Sequence, residues 1–226
     1  MRRAVVAAAL VLAGCAQVVP VNTPTAVPTA TATPVPTAAT PANVLDSLRV
    51  IPRPRSVDYQ REAFGPAWED VDNNGCNTRD DILARDVDKT QKYAMRKQGS
   101  CDHDMISGTW HDPYTGETLT FTDLKDVAQA QAIQIEHIVA LSVAWRYGAN
   151  EWDYEKRVQF ANDPDNLQAA GAQANTEKAG ADAAAWRPKK PYQCDFATRY
   201  VAVKAKWDLA VDNSEKAALA EMLETC

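Results

Sequence analysis

The stretch Ile133-Gln134-Ile135-Glu136-His137-Ile138-Val139-Ala140-Leu141 carries most of the information about the fold. A brief apolar segment over 133–135 predicts a short strand, and the apolar residues over 140–147, which end at Gly148, predict a helix. Glu136 and His137 therefore lie side by side between a strand and a helix. A carboxylate next to an imidazole at such a junction is suited to acid–base or metal chemistry.

Two polar stretches follow downstream. About thirty residues on, Asn162-Asp163-Pro164-Asp165-Asn166-Leu167 predicts a turn that leads into a second short strand over 167–169. Asn175, Glu177 and Lys178 then open a predicted helix over 174–185. The chain thus carries a strand with Glu-His, a turn with Asn, and a helix with Asn, in that order.

These residues resemble the HNH, or His-Me finger, endonucleases with a ββα-metal core, and in particular the C-terminal domain of GmrSD-type restriction endonucleases. The resemblance covers residues 58–226. The flanking stretches that are similar to secreted bacterial members are 64–68, 74–79, 112–116 and 160–164. The resemblance implies an α+β fold, with a helix-rich single domain around a ββα-metal core. It also implies hydrolysis of phosphodiester bonds.

The resemblance implies a role for each polar residue of the core. His137 is the general base, and Glu136 with Asn175 binds one divalent metal, Mg²⁺, Mn²⁺ or Ca²⁺, through hard oxygen donors. Asn166 braces the two strands and the loop that aims His137. Lys178 lies one helical turn beyond Asn175 and contacts phosphate. The implied substrate is nucleic acid, DNA before RNA, with little sequence preference.

Arg79 has two interpretations. An arginine can clamp a phosphate with two parallel hydrogen bonds and stabilise transition-state charge, which makes Arg79 a candidate catalytic residue. It can equally be a helix-surface arginine paired with Asp80 or Asp86. The sequence leaves both open.

A second candidate metal site precedes that arginine. Asp70, Asp72 and Asn74 match the start of an EF-hand-like loop, D-x-D-x-N-G, and Asp81 stands at the twelfth position, where a carboxylate would close a structural Ca²⁺ site. The alternative is an acidic, Asx-rich turn that caps the next helix.

The N-terminus predicts export. Residues 1–14 combine a positive start with a short apolar run, as in a signal peptide, and Leu12-Ala13-Gly14-Cys15 resembles a bacterial lipobox with Cys15 as the lipidated residue. The Thr/Pro/Ala-rich residues 15–44 predict a disordered tether, and residues 45–226 the folded domain. We therefore expect a lipoprotein on the outer face of the cell membrane, or an extracellular protein, that contacts membrane through its lipid only.

The four remaining cysteines predict disulfides, because an even number in an exported chain favours them. Three pairings are possible. The pairs that close the shortest loops are Cys76 with Cys101 and Cys194 with Cys226. The chain has no CxxC pair, so a structural zinc finger is not expected.

The charge distribution limits the mode of substrate binding. The formal charge is −6, which excludes a globally basic nucleic-acid binder. Residues 171–210 nevertheless carry seven basic against four acidic residues, which is either a phosphate-binding stripe or a solvated face. We expect a monomer. The alternative function is a surface-binding lipoprotein that keeps the nuclease fold without catalysis.

The remaining secondary structure follows from capping and periodicity. Further helices are predicted from Thr78 to Arg85 and over 151–160, 195–209 and 214–224. Strands over 105–110 and 118–121 flank the turn Asp112-Pro113-Tyr114-Thr115-Gly116 and form a predicted hairpin.

Overall fold

The computed structural model describes residues 40–55 and 58–226. The predicted signal peptide, Cys15 and the predicted tether up to residue 39 lie outside this part of the chain. Among the described residues, no helix has the length and apolar character needed to span a membrane.

The described residues form an α+β fold, which confirms the predicted class. The α-helices are Pro41–Ser47 (α1), Thr78–Asp86 (α2), Val127–Ala132 (α3), Leu141–Arg146 (α4), Tyr154–Ala161 (α5), Ala172–Lys178 (α6), Gln193–Lys206 (α7) and Asn213–Leu223 (α8). Short 3₁₀ turns occur at Arg61–Phe64, Ala149–Glu151, Pro164–Asn166 and Lys190–Tyr192. The strands are Ala94–Gln98 (β1), Cys101–His111 (β2), Thr118–Phe121 (β3), Ile133–His137 (β4) and Leu167–Gly171 (β5).

The strands form two antiparallel sheets. One has the order β1-β2-β3, with the predicted hairpin between β2 and β3. The other pairs β4 with β5 so that His137 lies opposite Leu167 and Ile133 opposite Gly171. Because α6 follows β5 directly, this two-stranded sheet and helix α6 form a ββα unit.

Polar caps begin several helices. The Asn77 side chain accepts the amide of Asp80 at 3.1 Å, as expected of an N-cap, and so begins α2 where the sequence predicts it. Asp212 accepts the amide of Glu215 at 2.9 Å and begins α8. Local hydrogen bonds of this kind explain why the helix starts are readable from sequence.

Two apolar clusters hold the domain together. One joins α2 and the strands and includes the buried side chains of Ile82, Trp110 and Ile133. The other includes Phe160 and Tyr200 and lies among the helices. The ββα unit contributes to both clusters, so its geometry is fixed from two sides.

A buried ion pair lies within the helical cluster. Lys204 on α7 donates to Glu215 on α8 at 2.6 Å and to the carbonyl of Ala210 at 2.8 Å. Both charged side chains are fully buried. The Tyr200 hydroxyl donates to the other carboxylate oxygen of Glu215 at 2.5 Å, so this carboxylate is held from two sides.

The folded domain begins earlier than predicted. Helix α1 starts at Pro41, inside the segment predicted as tether, and Thr40 accepts the amide of Asn43 at 3.3 Å as its cap. Leu45 and Leu48 are buried in the helical cluster. The expectation of an extended chain up to residue 44 is therefore wrong for residues 41–44, because these residues continue into a helix that buries apolar surface.

Helix α6 is shorter than predicted. It ends at Lys178, and Ala179 adopts a positive φ of 45°, whereas the sequence suggests a helix to residue 185. The buried carboxylate of Asp182 accepts the amides of Ala184 and Ala185 at 3.1 Å, which competes with helical hydrogen bonding. Elements α3 and β1 were not predicted.

Two disulfides connect distant segments. They join Cys76 to Cys101 and Cys194 to Cys226, which is the pairing favoured by loop length. The first attaches the loop before α2 to the start of β2, and the second attaches α7 to the chain end.

Candidate active site

Glu136, His137 and Asn175 face one cleft of about 450 Å³. The first two lie at the end of β4, and Asn175 lies on α6. The pairing of β4 with β5, and the direct passage from β5 to α6, bring these residues together. Other side chains that line the cleft are those of Tyr59, Arg61 and Trp68.

Two contacts fix the His137 ring. Its Nε2 lies 2.9 Å from the carbonyl oxygen of Ala161, and a carbonyl only accepts, so Nε2 carries the proton and Nδ1 keeps a lone pair. The Trp68 indole stacks on the ring with centroids 5.9 Å apart and planes 15° apart. Burial lowers the pKa of His137 to about 4, so the imidazole is neutral around pH 7.

Glu136 is buried beside a lysine. Lys178 forms an ion pair with Glu136 Oε1, and the Tyr114 hydroxyl lies 3.4 Å from the same oxygen. Burial raises the pKa of Glu136, while the charge of Lys178 opposes that rise. Lys178 also donates to the carbonyl of His137 at 2.9 Å. The expected phosphate contact of Lys178 is therefore corrected, since its ammonium is buried and directed at the strand end.

The oxygen donors fit a hard divalent cation. Asn175 Nδ2 donates to Gln134 Oε1 at 2.7 Å, which leaves the carbonyl oxygen of the Asn175 amide as its free ligand atom. Lys178 and Tyr114 both contact Oε1 of Glu136, so Oε2 is turned away from these two donors. A carboxylate and an amide oxygen at one cleft match the ligand preference of Mg²⁺, Mn²⁺ or Ca²⁺.

Asn166 holds the loop that follows His137. Its Oδ1 accepts the amide of Val139 at 2.8 Å, and its Nδ2 donates to the carbonyl of Val139 at 3.2 Å. Its own carbonyl accepts the amide of Ile138 at 2.8 Å. The side chain is fully buried, and its bracing role in catalysis stays a prediction.

Arg79 points to backbone rather than to the cleft. Its Nη2 donates to the carbonyls of Ala130 and Ile133 at 2.9 and 3.0 Å, and it thereby ties α2 to the junction of α3 and β4. Burial lowers its pKa. Both sequence interpretations are thus corrected: Arg79 does not line the cleft of Glu136 and His137, and it forms no ion pair among the described residues.

The sequence did not identify three residues of this site. Tyr114 reaches Glu136 because the buried Asp112 accepts the amides of Tyr114 and Gly171, at 2.8 and 2.6 Å, and so joins the turn to β5. Trp68 lies in a stretch noted only for family similarity. Arg61 belongs to no recognisable motif. It reaches the cleft because its segment packs against residues that are distant in sequence.

The predicted calcium residues lie together in one loop. Asp70 accepts the amides of Asn74 and Gly75 at 3.0 and 2.9 Å, and Gly75 has the positive φ of 92° that glycine allows. Asn74 Nδ2 donates to Asp72 and Asp81 at 3.1 and 3.0 Å. The loop thus contains the features of both interpretations, a group of oxygen atoms and a set of Asx turns.

Calcium binding by this loop stays a prediction. In a Glu136→Ala, Asn175→Ala variant, whose cleft lacks its expected ligands, saturating Ca²⁺ should raise the melting temperature by about 5–10 °C, since a hundredfold excess over the dissociation constant stabilises by about 2.7 kcal/mol. Differential scanning calorimetry would measure the shift. Adding Asp72→Asn should remove it, and an unchanged melting temperature in the parent variant would contradict the prediction.

Comparisons with known proteins show what the chain is similar to. A family model described as "GmrSD restriction endonucleases, C-terminal domain" matches residues 77–222. A protein of Arthroderma benhamiae named "Uncharacterized secreted protein" is 35% identical over 192 residues, which cover 84% of this chain and 86% of that protein. No solved structure matches.

Proposed function

The chain belongs to the family of GmrSD restriction endonuclease C-terminal domains, and on that premise we propose that it is an exported, metal-dependent endonuclease that hydrolyses DNA with little sequence specificity. The observation that carries the proposal is the arrangement of one neutral imidazole, one buried carboxylate and one oriented amide around a single cleft. RNA is a further substrate within the same chemistry.

His137 acts as the general base in this proposal. Its Nδ1 accepts a proton from the attacking water, while Nε2 stays hydrogen-bonded to the carbonyl of Ala161. That hydrogen bond holds the ring orientation and stabilises the imidazolium that forms. Asn166 acts through the backbone at Val139, and so keeps the loop after His137 in place.

Glu136 and Asn175 would hold the divalent cation. When bound, such a cation neutralises charge that develops on the phosphate and on the leaving oxygen. Lys178 opposes the rise in the pKa of Glu136 that burial causes, because its ammonium lies on the same carboxylate.

A cleavage assay with the purified chain tests the proposal. Supercoiled plasmid, single-stranded DNA and RNA would each be incubated with Mg²⁺, Mn²⁺ or Ca²⁺, and with EDTA. We expect plasmid degradation that requires a divalent cation and stops with EDTA. Absence of cleavage with every cation and substrate would contradict the proposal and favour the alternative of a surface-binding lipoprotein without catalysis.

Arg61 is the residue best placed to bind the substrate phosphate. It lines the cleft beside His137 and lies near enough for its charge to lower the pKa of that histidine, after the larger effect of burial. An arginine has five donor hydrogens, and one hydrogen bond of Arg61 goes to the carbonyl of Gly65 at 2.9 Å. The guanidinium therefore keeps donors for a phosphate.

Arg61→Ala should lower kcat/KM for plasmid cleavage about 100-fold, the typical effect of removing one donor to transition-state charge. Arg55, an exposed arginine of the same segment, provides the matched control, and Arg55→Ala should cleave like the unmodified protein. Equal kcat/KM for the two variants would show that Arg61 does not bind the reacting phosphate.

Export and anchoring belong to the same proposal. The relative from Arthroderma benhamiae is named a secreted protein, and the two disulfides fit an oxidising compartment. We propose that residues 1–14 direct export and that Cys15 is lipidated. Metabolic labelling with a fatty acid, compared with a Cys15→Ser variant, tests the lipid.

A further inference from the structure

The Cys76–Cys101 disulfide has a histidine beside it. His103 Nδ1 lies 3.4 Å from the sulfur of Cys76. The ligand atoms of Cys76, Cys101 and His103 all lie within 4.8 Å of one another. Cys101 and His103 are two residues apart on β2, so their side chains share one face of the strand. Two sulfurs and one imidazole nitrogen thus converge on one point.

The other nitrogen of His103 has the partner that metal-binding histidines usually have. Its Nε2 lies 2.6 Å from an oxygen of Asp81. A histidine that binds a metal through one ring nitrogen generally donates from the other to a carboxylate, which fixes the ring. Nδ1 lies 3.4 Å from the sulfur of Cys76 and 2.6 Å from a carboxylate oxygen of Asp102, so it carries a proton in the oxidised protein and has to lose that proton to bind a metal.

A fourth donor, the carboxylate of Asp102, has to move in order to reach the sulfurs. An oxygen of Asp102 lies 2.6 Å from His103 Nδ1, and the Asp102 side chain is mostly exposed and therefore able to move. Two thiolates, one imidazole nitrogen and one carboxylate oxygen form a four-coordinate set that suits Zn²⁺. This ligand set cannot be recognised from the sequence, because the two cysteines are 25 residues apart and no CxxC pair exists.

We propose that reduction of the Cys76–Cys101 disulfide turns this cluster into a zinc site, with Cys76 Sγ, Cys101 Sγ, His103 Nδ1 and an Asp102 oxygen as ligands. A dithiol reductant supplies two electrons and two protons, breaks the S–S bond to give two thiols, and becomes a disulfide itself. Each thiol, and likewise His103 Nδ1, then loses its proton to the solvent when it binds Zn²⁺.

As a consequence, the two segments joined by Cys76 and Cys101 stay crosslinked after the disulfide is reduced. In the oxidised protein the S–S bond attaches the loop before α2 to the start of β2. In the reduced protein one Zn²⁺ bridges the same two sulfurs, so the same segments stay attached. The other disulfide, Cys194–Cys226, belongs to no such cluster among the described residues, and its reduction should create no comparable site.

Cobalt titration of the full chain tests the proposal. The protein is reduced with dithiothreitol, desalted without oxygen and titrated with Co²⁺, which reports thiolate ligation by a near-ultraviolet charge-transfer band. We expect one Co²⁺ per chain with that band, loss of the band when one equivalent of Zn²⁺ is added, and no band in the oxidised protein. Oxygen ligands at Glu136 and Asn175 give no thiolate band, so the two metal sites are distinguished.

Variants locate the site. His103→Ala keeps both cysteines, so its fold can be checked in the oxidised state, and after reduction it should bind Co²⁺ at least tenfold more weakly. His111→Ala, on the same strand, and Cys194→Ser with Cys226→Ser should keep the band. Reduced protein without the band, unweakened binding in His103→Ala, or a band that depends on Cys194 and Cys226 would each overturn the proposal.

Zinc should also stabilise the reduced chain. In the Glu136→Ala, Asn175→Ala variant, whose cleft lacks its proposed ligands, equimolar Zn²⁺ should raise the melting temperature of the reduced protein and leave that of the oxidised protein unchanged, because the ion restores the attachment between two segments. If Zn²⁺ does not change the melting temperature of the reduced chain, the proposal that the ion acts as a crosslink is wrong.

Discussion

His137→Ala is expected to lower kcat/KM for phosphodiester cleavage by about 100- to 10,000-fold, the usual contribution of a positioned general base. The proposed base is the Nδ1 lone pair, which exists because Nε2 is committed to the carbonyl of Ala161. Burial keeps the imidazole neutral down to about pH 4, so the base is present throughout the neutral range. Initial rates of plasmid nicking, at saturating divalent cation, measure the loss.

The control for this variant is another histidine. His111 on β2 is exposed and contacts Asp88 at 3.1 Å, away from the cleft, so His111→Ala should cleave normally. Thermal unfolding of both variants shows whether His137→Ala is folded, since its ring also packs on Trp68. A folded His137→Ala protein that cleaves at the unmodified rate would disprove the mechanism.

Lys204→Met should destabilise the fold by about 3–5 kcal/mol, the usual cost of leaving one partner of a buried ion pair uncompensated. Glu215 and Lys204 are both fully buried, and Lys204 is the cation within reach of that carboxylate. Burial already raises the pKa of Glu215, and loss of Lys204 removes the main opposing interaction. Urea unfolding followed by tryptophan fluorescence measures the free energy of unfolding.

Two further variants test the ion-pair explanation. Lys206→Met removes a half-exposed lysine from the same helix, one that pairs with Asp163 and Asp165, and should cost about 1 kcal/mol or less. Adding Glu215→Gln to Lys204→Met should recover much of the loss, because a neutral amide still accepts from Tyr200 without a buried charge. A cost below 1 kcal/mol for Lys204→Met alone would contradict the explanation.

Local chemistry made much of the fold predictable. Asn77 caps α2 through an amide three residues away, and the turn at 112–116 joins neighbouring strands, so both signals lie within a few residues. The order of Glu136, His137, Asn166 and Asn175 likewise indicated the ββα unit. These features could be predicted because the residues that interact are close in sequence or belong to one family motif.

Features set by long-range packing were not predictable. Residues 41–44 have the composition of a tether, and only burial of Leu45 and Leu48 in the helical cluster shows that the segment is helical. Tertiary contacts place Arg61, for which the sequence predicts no role, in the cleft, and they place Arg79, a candidate catalytic residue, on backbone carbonyls. Nothing in the local sequence of either arginine indicates this difference.

The ammonium of Lys178 accompanies the carboxylate that we propose as a metal ligand, whether or not a cation is bound. It supplies a counter-charge to Glu136 from within the fold, so the cleft does not need a cation to stay assembled. The same ammonium competes electrostatically with an incoming cation, which favours modest affinity and rapid exchange. In the proposed enzyme, the supply of divalent ions would then control activity, while the fold persists with and without the cation.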